Sequence, residues 1–288
     1  FGRQAHSWVA LFDPIGPRSS WPGLIWQFVE MARAAGGRAM FYQVMPENLA
    51  LYADAGMRAY KLGEAAQVDL QNFDLKGAKR ASLRHAFNRS QREGLSFELL
   101  EPDQVEQSID DLQRISNLWL AEHRAREKRF SLGAFDRAYV MAQPAAIVRR
   151  DGRIVAFATV MMTGMKQEAT IDLMRFEPEV PAGTMEFLFI SLMLHLKEQG
   201  YHRFDLGMAP LSGLSESPAA PFWHRMGRAV FEHGERFYNF HGLRAFKAKF
   251  QPQWQPRYIA VSGGMSPALA LADVTVLISG GLKGVVGK

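Results

Sequence analysis

The chain has 288 residues, of which 48% are hydrophobic and 22% charged, so it can bury one or two cores and is not a disordered chain. It contains no cysteine, which excludes disulfide frameworks, thiolate metal sites, iron–sulfur clusters and cysteine nucleophiles. The net charge is only +5, so the placement of the basic residues is more informative than their number.

Strands and helices alternate in the first part of the chain. The apolar run Trp8–Phe12 predicts a strand that ends at the turn Asp13-Pro14. Apolar residues at helical spacing predict a helix over Trp21–Ala35, which Gly36 ends. The elements expected next are a strand over Met40–Val44, a short helix over Pro46–Ala55 and a strand over Ala59–Leu62.

The second half repeats this order after a hairpin formed by Ala145–Arg150 and Ile154–Met162. The elements expected after the hairpin are strand Thr170–Phe176, helix Thr184–Gln199 with Thr184 as its N-cap, strand Arg203–Leu206, helix Pro218–Met226 and strand Arg236–Phe240. Strand, long helix, strand, short helix and strand occur in both halves, which favours a duplicated α/β unit.

A basic segment lies between the halves, over Lys76–Arg92. It contains no acid, and its bases are Lys76, Lys79, Arg80, Arg84, Arg89 and Arg92. The segment is compatible with a helix, on which Leu83 and Phe87 form a narrow apolar ridge. A solvated basic face is the ordinary interpretation, and a phosphate-binding helix is the functional one that we prefer, because nothing acidic neutralises the charge.

A second basic segment, Arg236–Tyr258, mixes cations with aromatic residues and also lacks acids. Gly242–Phe250 predicts a short helix that buries Phe246 and Phe250 and leaves Arg244 and Lys247 on another face. Cations interleaved with aromatic rings suit phosphates and stacked bases. A core strand and helix with snorkelling lysines remains the alternative.

Asp172 lies in an otherwise apolar strand, where an unpaired carboxylate is costly to bury. It is either an edge residue paired with an arginine or a functional group. Arg175 follows three residues later, so a regular strand places the two on opposite faces. They can serve one site only if the strand bulges or ends between them.

Several familiar sites are absent from the sequence. It has no nucleophile elbow, Walker loop, dinucleotide fingerprint or zinc-protease motif, and the eight histidines are scattered, so neither a metal nor a cofactor is expected. The element order suits an acetyltransferase that uses coenzyme A. The loop before the helix at Thr184, however, carries Glu177 and Glu179, which would repel a pyrophosphate, and Pro178 and Pro181, which lack amide donors.

Four stretches of the chain closely resemble the catalytic domain of the MprF family, the bacterial aminoacyl-phosphatidylglycerol synthases. The stretches are Phe12–Pro17, Phe41–Val44, Leu83–Gly94 and Asn239–Tyr258. The resemblance covers about residues 1–260 and is greatest to the alanyl type. It implies an α/β fold of two acetyltransferase-like (GNAT) units in tandem joined by a basic helix.

The resemblance also implies a reaction. Alanine or lysine would pass from aminoacyl-tRNA to a hydroxyl of phosphatidylglycerol, on the cytoplasmic face of the bacterial inner membrane and next to an upstream transmembrane domain of the same protein. It supports Asp172, Arg175 and Lys247 as catalytic residues. We expect Asp172 to contact the attacking hydroxyl or the substrate ammonium, and Arg175 and Lys247 to hold a lipid or tRNA phosphate. The candidate substrate-binding residues are Arg244, Lys79, Arg80 and Arg84.

The expected division of the chain is a first unit over 1–75, the connecting helix over 76–94, a second unit over 95–260 and an apolar tail over 261–288. The tail is not expected to span a membrane, because it contains Pro267 and Asp273. The chain begins at Phe1, so it is expected to be part of a longer protein. Two alternative functions remain, a coenzyme A-dependent acetyltransferase and a non-catalytic module that binds anionic membranes or RNA.

Overall fold

The computed structural model describes residues 1–123, 126–215, 217 and 240–281. These residues form one ten-stranded sheet with the order β1-β2-β3-β10-β4-β9-β8-β7-β6-β5. The strands are β1 (Gly2–Gln4), β2 (Ser7–Leu11), β3 (Arg38–Val44), β4 (Met57–Asp69), β5 (Leu95–Leu100), β6 (Ala145–Arg150), β7 (Arg153–Met162), β8 (Glu168–Phe176), β9 (Arg203–Pro210) and β10 (Gln253–Ser262).

Helices cover both faces of the sheet. They are α1 (Trp21–Ala34), α2 (Leu49–Asp54), α3 (Ala81–Arg92), α4 (Pro102–Glu122), α5 (Arg137–Met141), α6 (Thr184–Glu198), α7 (Phe240–Ala248) and α8 (Pro267–Ile278). Around β5–β9, helices α3 and α6 share one core, and α4 and α5 share another core. Around β2, β3 and β10, helices α1 and α2 pack on one core and α8 on another.

Two strand–helix–strand units with parallel strands organise the sheet. In the first, β2 and β3 are parallel and α1 connects them, and in the second, β8 and β9 are parallel and α6 connects them. Helix α6 is apolar around much of its surface because it is buried between the sheet, α3 and α7. The α/β fold predicted from the repeated element order is therefore confirmed.

Strand β10 joins the two halves, because it follows α7 in the chain but pairs with β3 on one side and β4 on the other. The sequence analysis did not predict this strand, which contains Pro256 and has its partners far away in the chain. The division of the chain into units at residue 95 stays a prediction.

The C-terminal segment contributes helix α8 to the fold. Met265, Ala270 and Val274 are buried against β2, β3 and β10, and the Ser7 hydroxyl donates to Asp273 at 2.5 Å. Among the described residues, no helix is both long and apolar enough to cross a membrane.

Two local predictions differ from the structure. Gly183, in the left-handed conformation, is the N-cap of α6, and the hydroxyl of Thr184 donates to the Pro181 carbonyl at 2.7 Å instead of capping the helix. Helix α3 begins at Ala81 after a 3-10 turn over Ala78–Arg80, so only part of the basic segment is α-helical. The helix expected over 218–226 and the strand expected from residue 236 lie outside the described residues, apart from Phe240, which begins α7.

Candidate active site

The candidate site lies where β8 and β9 separate. These parallel strands pair only through Glu168–Thr170 and Arg203–Asp205. Beyond this point β8 continues to Phe176 along β7, whereas β9 continues to Pro210 along β4. The two strands therefore diverge and leave a cleft between their carboxyl ends, a place where α/β sheets commonly bind ligands.

A bulge in β8 places Asp172 and Arg175 on one face of the sheet. Ala158 pairs with Met174 and Val160 with Ile171, so Asp172 and Leu173 together oppose the single residue Thr159. The Thr159 hydroxyl accepts the Leu173 N–H at 3.1 Å and holds the bulge. Asp172 contacts α5 and Arg175 contacts α4, and both helices pack on the core that contains Leu173. The sequence analysis required a bulge or a strand end between Asp172 and Arg175 if they are to share a site, and the structure has a bulge there.

The Asp172 carboxylate accepts a hydrogen bond from a tyrosine and lies close to a glycine. The Tyr139 hydroxyl donates to Asp172 Oδ2 at 2.7 Å. A Cβ atom on Gly133 would clash with the same oxygen, so a larger residue at this position would force the carboxylate to shift. Partial burial, and then the hydrogen bond to Asp172, raise the pKa of Tyr139 to about 12, so Tyr139 stays a hydrogen-bond donor at neutral pH. The sequence analysis missed Tyr139, because α5 has only five residues and carries no motif.

Arg175 is buried, with 8% of its surface exposed. Its Nη2 donates to Glu127 Oε2 at 3.1 Å, and its guanidinium carbon lies 4.3 Å from the centre of the Trp119 ring. Burial lowers the pKa of Arg175, and the nearby Glu127 carboxylate opposes this change. The buried Nε has no hydrogen-bond partner among the described residues. One donor of this buried cation is therefore left unpaired by the described residues.

Lys247 contacts β9 near its carboxyl end, and among the described residues no hydrogen bond or ion pair joins it to Asp172 or Arg175. Its Nζ donates to the Met208 carbonyl at 2.8 Å and lies 3.6 Å from the position that a Cβ on Gly207 would occupy. Only 5% of its surface is exposed, and this burial lowers its pKa to about 8, although Asp205 favours the charged form. An amine with this pKa exchanges its proton close to neutral pH.

A buried polar network surrounds the start of the cleft. Asp205 accepts the Gly207 N–H at 2.6 Å and lies 3.8 Å from the guanidinium of Arg257, which is buried. Burial, and next the charge of Asp205, raise the pKa of the neighbouring Glu168. The sequence analysis did not select these residues, because they come from three separate strands.

Arg244 lies one helical turn before Lys247 but is much more exposed. Its Nη2 is 3.8 Å from Glu64 Oε2, and its guanidinium stacks on Trp254 with 4.6 Å to the ring centre. Lys61 donates to the other oxygen of Glu64 at 3.1 Å. Glu64 thus gathers two cations beside α7.

The three bases predicted on the connecting segment have different environments. Lys79 is exposed. Arg80 donates to the Phe250 carbonyl at 2.8 Å, and Arg84 donates to the Leu75 carbonyl at 2.6 Å. Within the described part of the chain, no hydrogen bond or ion pair joins these bases to Asp172, Arg175 or Lys247. Arg80 and Arg84 fix the backbone around α3, so part of their role is structural.

No group of three or more histidine or acidic side chains among the described residues is arranged to hold a metal ion. The loop that leads from β8 to α6 is tied to α4, because Glu177 forms ion pairs with Arg114 and with Arg153. Glu177 and its two arginine partners therefore occupy the start of that loop.

A family model described as phosphatidylglycerol lysyltransferase, C-terminal, matches residues 1–261. The chain belongs to this family. The resemblance found from the four sequence stretches is thereby confirmed. A curated member of the family, the phosphatidylglycerol lysyltransferase of Bacillus subtilis strain 168, is 39% identical over 279 residues, which cover 96% of this chain and 32% of the relative. The chain thus spans about a third of the length of this relative.

Two solved structures are similar to this chain. A domain assigned to a lysylphosphatidylglycerol synthetase of Agrobacterium fabrum is 57% identical with a TM-score of 0.88, and the match covers 99% of this chain and 86% of that one. The L-PGS structure from Bacillus licheniformis is 39% identical with a TM-score of 0.84, and covers 96% and 84%. The large mixed sheet is therefore shared by these structures.

The depressed pKa of Lys247 predicts a specific pH dependence of stability. Between about pH 8 and the ordinary lysine pKa of 10.5, the unfolded chain binds the proton that the folded chain has released. The free energy of unfolding should therefore rise with pH in this window, relative to a Lys247→Met variant that cannot titrate. Urea denaturation of both proteins from pH 7 to pH 10 measures this difference. A difference that is constant with pH would contradict the depressed pKa.

Proposed function

We propose that this chain catalyses the transfer of an aminoacyl group from aminoacyl-tRNA to a glycerol hydroxyl of phosphatidylglycerol. The observation that carries the proposal is membership of the phosphatidylglycerol lysyltransferase family. The divergence of β8 and β9 supports it, because Asp172 and the buried Arg175 lie on β8 and the buried Lys247 contacts β9. The curated relatives are named for transfer of lysine to phosphatidylglycerol. Alanine is the other amino acid that the sequence resemblance allows, and the assay below includes both.

The reaction exchanges one ester for another. The lipid hydroxyl oxygen attacks the ester carbonyl, its proton leaves, and a tetrahedral intermediate forms. The bond between the carbonyl carbon and the ribose oxygen then breaks, and the ribose oxygen takes up a proton. No bond energy from ATP is required because the donor ester is already activated. The protein contributes positioning, proton transfer and stabilisation of the developing negative charge.

Asp172 suits the role of hydrogen-bond acceptor for the attacking hydroxyl. Tyr139 occupies Oδ2, and Oδ1 accepts no hydrogen bond from the described residues. The carboxylate is therefore fixed through one oxygen, and the other can orient the lipid hydroxyl and receive its proton. A base placed in this way contributes about 10²–10⁴-fold to a rate.

Lys247 and Arg175 suit the charge that develops on the carbonyl and on the leaving ribose oxygen. With a pKa of about 8, Lys247 is mostly protonated at pH 7 and can give its proton to the leaving oxygen. Arg175 keeps its charge across this range, and its unpaired Nε can donate to an oxyanion or to a phosphate.

The exposed bases outside the cleft suit the two polyanionic substrates. Lys76, Lys79, Arg89 and Arg92 are exposed on the connecting segment. Arg244 is half-exposed beside Trp254, where a cation next to an aromatic ring suits a terminal phosphate and a stacked base. The longer relatives are consistent with an additional segment, and we propose that this domain works on the cytoplasmic face of the inner membrane beside an upstream transmembrane domain.

The assay of transfer tests the proposal through Asp172. We expect label from Ala-tRNA or Lys-tRNA to enter phosphatidylglycerol micelles without ATP and in the presence of EDTA. Asp172→Asn keeps the size of the side chain but removes its charge and basicity, so the transfer rate should fall by about 10²-fold or more. Circular dichroism checks that the variant is folded.

Asp151→Asn is the matched control, because Asp151 is an exposed turn residue with only a distant contact to Arg150. Its transfer rate should equal that of the wild type. Near wild-type transfer by Asp172→Asn would show that the carboxylate is only structural. Label transfer from acetyl-coenzyme A instead of tRNA would replace the proposal with an acetyltransferase, and binding of tRNA or lipid without any transfer would indicate a non-catalytic module.

The exposed bases of the connecting segment give a separate prediction. A Lys76, Lys79 and Arg92 triple change to Gln should weaken binding of one polyanion and flatten its plot of log affinity against log salt by about two units, since each phosphate contact contributes about 0.7–0.9. Measurements with tRNA and with phosphatidylglycerol vesicles show which polyanion the segment binds. Arg80→Gln should instead lower the free energy of unfolding, because Arg80 holds the Phe250 carbonyl. Unchanged salt slopes for both polyanions would show that the segment is a solvated connector.

A further inference from the structure

The loop over residues 12–18, called here the apolar loop, presents hydrophobic side chains to solvent. Ile15, at its tip, is 96% exposed, and Phe12, at its start, is 49% exposed. Ile15 stands between Pro14 and the pair Gly16-Pro17, so no polar side chain lies beside it at the tip. A fully exposed isoleucine in such a loop leaves its whole apolar surface in water, which is unfavourable unless another surface covers it.

The apolar loop is held in this shape by hydrogen bonds at both of its ends. Asp13 is buried and accepts the Tyr52 hydroxyl at 2.7 Å and the Met45 N–H at 3.0 Å. At its other end, Arg18 donates to the Asn48 side chain at 2.6 Å, and the Trp21 indole donates to the Gly16 carbonyl at 3.1 Å. The exposure of Ile15 is thus a consequence of a fixed structure.

The backbone conformation of Phe12 is a second sign that the apolar loop is constrained. Its φ angle is 64°, in the left-handed region that is unfavourable for a bulky side chain, and its N–H donates to the Tyr42 carbonyl at 2.8 Å. The fold therefore maintains a costly backbone conformation at the residue that turns the chain out of β2. The same conformation leaves the ring of Phe12 half-exposed on the side of the loop.

The residues around the apolar loop are typical of a segment that inserts at the boundary of a lipid bilayer. Arg18 is exposed at its base and lies over the ring of Trp21, at 5.3 Å from the ring centre. Arginine and tryptophan at the base of an apolar tip are typical of side chains at the headgroup level. Asp13 is the one acid among the first 29 residues, and its carboxylate is turned inward. The loop thus presents one cation and no accessible anion to an anionic surface.

We propose that the apolar loop docks this domain on an anionic lipid bilayer by inserting Ile15 and Phe12 among the lipids. Arg18 then lies at the level of the lipid phosphates. The proposal rests on the proposed function in one respect: a substrate that remains in a bilayer requires the catalytic domain to contact that bilayer. Among the described residues, no hydrogen bond or ion pair joins the apolar loop to Asp172, Arg175 or Lys247 or to the bases of the connecting segment.

The absence of cysteine allows a direct test on the chain as it stands. Ile15→Cys labelled with an environment-sensitive fluorophore is mixed with vesicles of phosphatidylglycerol and phosphatidylcholine. The emission should shift to the blue, rise by about twofold or more, and be quenched by lipids that carry a spin label in their acyl chains. Met165→Cys, labelled in the same way, is the matched control, because Met165 is also an apolar residue at an exposed turn and is 81% exposed. Its emission should stay unchanged.

A second variant tests the contribution of the side chain itself. Ile15→Ser should weaken binding of the unlabelled chain to the same vesicles by about tenfold, and Met165→Ser should leave it unchanged. The proposal would be overturned if vesicles left the emission of the label at residue 15 unchanged, or if they changed the emission equally at residues 15 and 165. A blue shift that depends on protein concentration without vesicles would also overturn it, because the occupant would then be a second copy of the chain. The fluorescence is recorded without any transfer assay, so the docking proposal and the proposed function fail independently.

Discussion

The separation of β8 from β9 is the constraint on which the site depends. Parallel strands joined by a helix normally continue side by side, but these two pair only as far as Thr170 and Asp205. Each then follows a different neighbour, β7 for β8 and β4 for β9, so the two strands are no longer paired with each other. Two features accompany this separation. The bulge at Asp172 turns β8. Strand β10, which is inserted beside β4, anchors the half of the sheet that β9 follows.

Burial of charge gives the cleft its chemistry. Arg175 and Lys247 are both removed from water, and removal of a cation from water favours its neutral form. Different groups offset the cost of burying each cation. Glu127 and the Trp119 ring offset it for Arg175. The Met208 carbonyl and the charge of Asp205 offset it for Lys247. The arginine remains a fixed charge, whereas the lysine is brought to a pKa of about 8. The two buried cations therefore differ, since one keeps its charge and the other can release a proton near neutral pH.

The sequence predicted the fold through local patterns, and the candidate site through a carboxylate in an apolar strand, two basic segments and the family resemblance. The helices α1 and α6 and the strands around them follow from helical periodicity and glycine stops, and the bulge condition for Asp172 and Arg175 follows from the two-residue period of a strand. Strand β10 was not predictable in this way, because its partners lie about 200 residues earlier in the chain. Tyr139 and Gly133 were missed for the same reason, since only tertiary structure brings them to Asp172. The roles of Arg80 and Arg84 in donating to backbone carbonyls could not be predicted from the local sequence either. A run of basic residues gives the same sequence pattern whether it binds phosphate or protein.

The most direct test of the account is a crystal structure of this chain with an aminoacyl-adenosine in which an amide replaces the labile ester. The account predicts that the amide carbonyl lies in the cleft between β8 and β9, within hydrogen-bonding distance of Lys247 Nζ or Arg175 Nε, with Asp172 facing the carbonyl carbon from the side that the lipid hydroxyl enters. Binding of the analogue away from these three residues, for example along the groove between α3, β5 and α6, would contradict the account.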